Sequence, residues 1–185
     1  MPALLAAVLT LVVSGVLIAP LRAEAAHAHS STQVTTFAVG VGVELCTFVD
    51  HTRSVTNYSK LPFVTLSASR TLATEIRYPT QVAAGSQREL TGANPVAHVG
   101  GYPTIVFAHG YDVTPDKYKT LLDSWVRAGF VVVAPIFPEE SPSAVRAGHG
   151  ANTEWDLVNE PGDLAFVTKA VLQASTKESA SCPIA

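Results

Sequence analysis

The run Thr104-Ile105-Val106-Phe107-Ala108 ends in His109-Gly110, and a helix-opening Thr114-Pro115-Asp116 follows shortly after. A glycine at the end of a strand lets the chain turn sharply and approach a ligand closely. Ligands of open α/β sheets gather outside the carboxyl ends of the strands. In that setting the backbone N–H of Tyr111 can donate to the oxyanion of a reacting carbonyl, a donor worth roughly 3 kcal/mol in a transition state. The same residues also read as a plain strand–turn–helix joint, with His109 satisfied by backbone hydrogen bonds. The dipeptide alone leaves both readings open.

Other chemistry-bearing residues carry less. Ser141, His149 and Asp156 have the types of a catalytic triad and stand close together. They lie on a polar stretch without the rigid support that catalytic geometry needs. Ser86 and Ser141 sit in loops, and no Gly-x-Ser-x-Gly occurs anywhere in the chain. His27 and His29 flank a processing region and lack further ligands, so no metal site is expected, nor a cofactor. Glu139 and Glu140 read as part of a solvated loop, and Trp125 and Trp155 as core or rim packing. Cys46 and Cys182 are too far apart for a Cys-x-x-Cys motif. In an exported chain they could close one long-range disulfide; two unpaired thiols are the alternative. Asn57-Tyr58-Ser59 fits the glycosylation triplet, a pattern too common to decide anything.

The elements that would position these residues follow from periodicity. Phe37–Asp50 reads as a strand, and so does Arg70–Pro79, with Leu72, Thr74, Ile76 and Tyr78 on one face and Pro79 as its end. The two are expected to pair antiparallel at one side of a sheet, with polar turn residues between them. Residues 80–102 read as one long loop. The apolar run 104–108 is expected to be a strand buried on both faces. A helix should follow, capped by Thr114 with Pro115 in its first turn, presenting Tyr118, Leu121, Leu122, Trp125 and Val126 as one stripe and stopped by Gly129. Residues 130–135 form a second buried strand, parallel to the first through a right-handed crossover. Residues 138–154 read as irregular; a second helix then buries Leu164, Val167, Val171 and Leu172.

Composition narrows the class. The chain has 185 residues, 48% hydrophobic and 15% charged, enough for one domain with a single core. Twelve basic against 15 acidic residues give a net charge of −3 with no basic patch, so nucleic acid is not an expected partner. Residues 1–28 stand apart. Ala3–Leu21 is almost wholly apolar and is followed by the small-x-small sites Ala23-Glu24-Ala25 and Ala26-His27-Ala28, as in a cleaved signal peptide. No Lys or Arg precedes the run, and its length of about 18–20 residues would also serve an uncleaved membrane anchor. Either way the remainder, 29–185, is expected to work outside the cytoplasm, and to meet a membrane only if the segment stays attached.

The order of strand, His-Gly, capped helix, "AGFVVVAPIFP", polar loop and "NEPGDLAFV", preceded by "FVDHTR" and "SRTLATEIRYPT", resembles the α/β-hydrolase fold. Within it, the likeness is to bacterial serine esterases akin to chlorophyllase, dienelactone hydrolase and platelet-activating-factor acetylhydrolase. It runs from about residue 37 to 174. The resemblance implies an α/β fold with a mostly parallel sheet, hydrolysis of a small or lipid-like ester, and Tyr111, supported by His109 and Gly110, as oxyanion donor. It also implies that Ala185 falls just before the strand carrying the nucleophile elbow. On that reading the chain is the N-terminal half of an exported carboxylic ester hydrolase, without nucleophile, acid or histidine. The alternatives are an inactive truncated product and a membrane-anchored binding module.

Overall fold

Two long strands carry the sheet because alternation runs through both of them. The structure, a computed structural model, describes residues 37–58, 61–83, 85–148, 154–175 and Cys182. The segment 1–28, His27, His29 and His149 lie outside the described residues. In chain order the elements are β1 (Phe37–Asp50), β2 (Val55–Asn57), β3 (Val64–Ser67), β4 (Arg70–Ala83), β5 (Glu89–Thr91), β6 (Thr104–Val106), α1 (Lys119–Arg127), β7 (Val131–Pro135), α2 (Pro142–Arg146) and α3 (Glu160–Ala174). A 3-10 turn, Pro115–Tyr118, leads into α1 and another, Trp155–Asn159, into α3.

The sheet order is β5-β1-β4-β7-β6. β4 runs antiparallel to both β1 and β7, whereas β5 is parallel to β1 and β6 to β7. Four strands therefore point one way and β4 alone runs against them, a mostly parallel α/β sheet as expected. One face packs Leu122 and Val126 of α1 on Val41, Val132 and Ala134. The other packs Val167 and Val171 of α3 on Leu72, Ile76, Tyr78 and Val133. Burying both faces of the sheet under helices is the stable solution for such a pattern.

Several expectations need correction. Pro79 does not end β4, which continues to Ala83. In a strand the N–H and C=O of one residue point to the same side. Pro79 C=O accepts from Val96 N–H (2.9 Å), so its missing donor faces that segment and costs β1 no ladder bond. The stretch 80–102 is not one loop, since Glu89–Thr91 pairs with Val41–Val43 as β5. Gly92 N–H donates to Glu44, and the Tyr78 hydroxyl donates to Ala93 C=O (2.7 Å), fixing the segment to the long hairpin. A Cβ at Gly42 would run into the Tyr78 ring, so the glycine makes room for that clamp. β6 is shorter than expected and only half-buried, because it is the edge of the sheet among the described residues. Leu121 and Leu172 are exposed, and Asp123 takes a buried place on α1 beside the Arg77 guanidinium (2.9 Å).

A disulfide joins Cys46 of β1 to Cys182, with Cα atoms 5.1 Å apart and both residues in the α3-side core. It closes a separation of 136 residues. Such a cross-link removes much of the freedom of the unfolded chain, so the C46A/C182A variant should lose about 4 kcal/mol of unfolding free energy in urea melts. An unchanged midpoint would remove the bond from the account of stability. Asp163 is fully buried and receives the Arg70 guanidinium on both oxygens (2.9 and 2.7 Å). Asp163→Asn should therefore cost about 3 kcal/mol, because buried Arg70 loses one of its two counter-charges and Arg53 loses a partner. Thermal unfolding of the variant checks this.

Candidate functional site

The carboxyl ends of β6 and β7 lie side by side, and two loops leave them together. Residues 107–113 leave β6 and residues 136–141 leave β7. Two hydrogen bonds tie them, and a third holds the start of the first loop to β7. Phe107 N–H donates to Val133 C=O (2.8 Å), Phe137 N–H donates to His109 Nε2 (3.0 Å), and Asp112 N–H donates to Glu140 C=O (2.9 Å). Asp112 adopts the left-handed conformation (φ 55°), which Asp tolerates better than most residues.

His109 works here as a brace. Because Nε2 accepts from Phe137 N–H, the ring proton sits on Nδ1, which donates to Gly110 C=O (2.8 Å). The ring is buried and lies against Phe137, centroids 4.8 Å apart. Burial pushes its pKa below the ordinary 6.5, and the Gly110 hydrogen bond offsets only part of that. A neutral imidazole with both nitrogens engaged is a spacer between two loops, not a general base. Gly110 is the tight point of the turn: an added Cβ would stand 3.2 Å from the Tyr118 hydroxyl. Tyr111, next in the chain, is half-buried.

The floor beneath these loops is carboxylate-rich. Glu139 and Glu140 are 3% and 2% exposed, not the solvated loop expected from sequence. Burial first, and the Asp156 charge second, push Glu139 up to about 7, with Arg70 opposing. Burial also pushes Glu140 up to about 8, reinforced by its hydrogen bond to Glu160. Ser141 caps α2 through Ala144 N–H (3.3 Å) and touches Ser143 Oγ (2.9 Å). Asp156 is held by two nitrogens of Arg70 (3.0 and 2.7 Å). Ser141 and Asp156 thus have structural partners of their own, which argues against an improvised triad. Ser86 sits in the turn after β4, its backbone N–H on Ala83 C=O (3.0 Å). Among the described residues no group of three or more His, Cys, Asp or Glu is arranged to hold a metal ion.

Two further surfaces frame the site. The β2–β3 arm leaves the sheet at this same end, between Asp50 and Arg70, and exposes Leu61, Phe63, Val64 and Leu66. Trp155 is 55% exposed, on neither core nor inner rim, and Leu157 and Val158 beside it are also open to solvent. A cavity of about 370 Å³ lined by Thr80, Gln81 and residues 93–97 lies at the opposite end of the sheet, beyond the start of β7. It is remote from the loops and has no charged lining. Sequence reasoning missed Glu139, Glu140, Glu160 and Arg70. The available signal was the Glu pair directly after a buried strand, read there as solvated.

If His109 is a neutral brace, long-range ¹⁵N spectra should show Nδ1 protonated and a titration midpoint below 6.5. Its contribution to stability is complete above that ordinary value and is lost as pH falls through the lowered one. His109→Phe keeps the ring contact but strands Phe137 N–H, and should cost about 1–3 kcal/mol in thermal melts. A midpoint at or above the ordinary value would refute the brace.

The chlorophyllase family profile matches residues 69–153, the stretch from the start of β4 through both loops of the site. Among solved structures the chain is similar to a ferulic acid esterase from Streptomyces cinnamoneus, with a TM-score of 0.51 and 13% identity. The match covers 83% of this chain and 50% of that one, so the chain spans half the length of its structural relative. At that identity the likeness is one of fold. No curated protein sequence matches. By fold the chain is similar to that esterase, and over residues 69–153 it is similar to the chlorophyllase family.

Proposed function

We propose that the chain is the N-terminal portion of an exported serine esterase, and that its 107–112 loop supplies the oxyanion hole. The observation that carries this reading is the triple bracing of that loop at the carboxyl ends of β6 and β7. A preorganised backbone donor stabilises developing negative charge without reorganising during the reaction. In the complete enzyme, a serine on the strand next to β6 attacks the ester carbonyl. A histidine takes its proton and returns it to the leaving alkoxide, and Tyr111 N–H shares the tetrahedral oxyanion with a donor beside the nucleophile. Among the described residues β6 is the edge of the sheet, which suits the addition of that strand, and the half-length match to the ferulic acid esterase supports it. The exposed Leu61, Phe63, Val64 and Leu66 at the same end favour an ester with an apolar chain. No cofactor enters this chemistry. Export rests on the apolar Ala3–Leu21 segment with its small-residue sites, and on the cysteine pair.

The coding sequence through and past codon 185 tests this directly. A frame continuing into a β-strand and Gly-x-Ser-x-Gly is expected, and its longer product should be labelled by a fluorophosphonate at that serine. A verified stop after Ala185, with no such pattern in any nearby frame, would overturn the esterase and leave an inactive remnant or a binding module.

A further inference from the structure

We propose that the open edge of β1, residues 45–49, is the contact by which two copies of this chain pair, antiparallel and about a two-fold axis at Thr47. β1 runs in unbroken register with β4 from Phe37 to Asp50, but β5 covers its other edge only at Val41–Val43. The direction of the backbone groups beyond that point follows from two hydrogen bonds. Ala73 C=O accepts Ile136 N–H (2.8 Å) and Pro79 C=O accepts Val96 N–H (2.9 Å), so these residues of β4 face away from β1. Thr47 and Val41 stand opposite them, in pairs whose N–H and C=O groups point outward on both strands. Alternation then turns Leu45, Thr47 and Val49 toward the open edge, while Cys46 and Phe48 bond to β4. Among the described residues nothing donates to or accepts from these outward groups.

The edge lacks the devices that usually block pairing. Leu45-Cys46-Thr47-Phe48-Val49 holds no charge, no Pro and no Gly, and its register with β4 contains no bulge. The side chains of Leu45, Thr47 and Val49 share the α1-side face with Val41, beyond the part that Leu122 and Val126 cover. Leu45 is 63% and Val49 37% exposed. Cys46 points to the opposite face, where its disulfide to Cys182 holds the strand in the α3-side core. The edge therefore has its shape before a partner arrives, which lowers the ordering cost of association.

A second copy fits because this edge is its own complement. About an axis at Thr47, Leu45 lies opposite the partner's Val49 and Val49 opposite the partner's Leu45, and each outward N–H meets a C=O. Two chains of net charge −3 repel each other, and a neutral pairing stretch adds nothing to that repulsion. Such a contact is short, so the dimer should be weak, with a Kd of about 10–100 μM. The sheet order puts β1 on the side away from β6. The pairing thus stands independently of the function proposed above and of any strand added at β6.

Sedimentation equilibrium and residue-resolved hydrogen exchange of the full chain test it, between about 5 μM and about 500 μM. The mass should rise from one chain toward two. The Leu45, Thr47 and Val49 amides should exchange about fivefold more slowly at the higher concentration, whereas those of Cys46 and Phe48 should not change. Leu45→Lys with Val49→Lys sets like charges opposite each other across the axis and should leave a monomer. Leu45→Lys with Val49→Glu sets opposite charges there and should restore the dimer, an outcome that general apolar adhesion does not produce. Both substituted side chains are exposed, so circular dichroism of the variants should match that of the parent chain. A monomer at every concentration overturns the proposal. So does a dimer that survives the two lysines, or one in which the Leu45, Thr47 and Val49 amides exchange as fast as in the monomer.

Discussion

The Arg70 guanidinium is the interaction on which the carboxyl end of this sheet depends. It is fully buried, and each of its five N–H donors has an acceptor: Ser54 C=O, two oxygens of Asp156 and two of Asp163. A buried guanidinium is tolerable only when its donors and its charge are met together. That requirement fixes three pieces of chain at once. The arm after β1 is held through Ser54, the 3-10 turn through Asp156, and the start of α3 through Asp163. Asp156 lies 86 residues from Arg70 in sequence, so the contact selects one tertiary arrangement from many. Gly162 lies against Arg53, whose guanidinium occupies the space a Cβ would need. The first turn of α3 thus carries carboxylates, a glycine and a second arginine as one fitted group.

Meeting Arg70 in full commits its hydrogen bonds to two of the acids. Asp156 and Asp163 take the arginine, and Glu139, Glu140 and Glu160 remain buried nearby. Burial then decides their state. All three are pushed above the ordinary carboxyl range, whereas Asp50, equally buried, is drawn down to about 2 because hydrogen bonds from Thr52 and Arg53 outweigh its desolvation. The contrast separates two uses of a buried acid. Asp50 is a fixed anion in a turn, whereas burial holds the three Glu carboxyls above their ordinary range.

How much of this was legible in the sequence depended on whether the signal was local. β1 and β7 were readable because alternation and an apolar run are written into consecutive residues. The crossover to a parallel β6–β7 pair followed from the helix between them. β5, β2 and β3 were not readable. They are three- or four-residue strands whose order comes from tertiary contacts such as Glu44 to Gly92 and Tyr78 to Ala93. The burial of Glu139 and Glu140 was hidden for the same reason, since it is set by elements that reach them only in the folded chain. His109-Gly110 was visible as a site, but its division of labour was not. Only the Phe137 N–H at Nε2 tells that the imidazole is spent on architecture.

The loop that leaves β6 is tied to a segment carrying two buried acids, Glu139 and Glu140. If Tyr111 holds an oxyanion as proposed, that charge would meet repulsion from any ionised carboxylate nearby, and in a low-dielectric interior that repulsion falls off slowly. Burial, which pushes Glu139 up to about 7 and Glu140 up to about 8, weakens that repulsion, and the Asp112 N–H bond is independent of it because its acceptor is the backbone C=O of Glu140. Replacing the acids by apolar residues would also remove the repulsion, but would leave Arg70 with a weaker negative surround. Asp156 and Asp163, which take the Arg70 guanidinium, and Glu140 and Glu160, whose carboxyls burial pushes above the ordinary range, are therefore two halves of one electrostatic solution. The first holds the cation that anchors α3 to β4. The second lets the loop above that anchor stay close to it without accumulating charge.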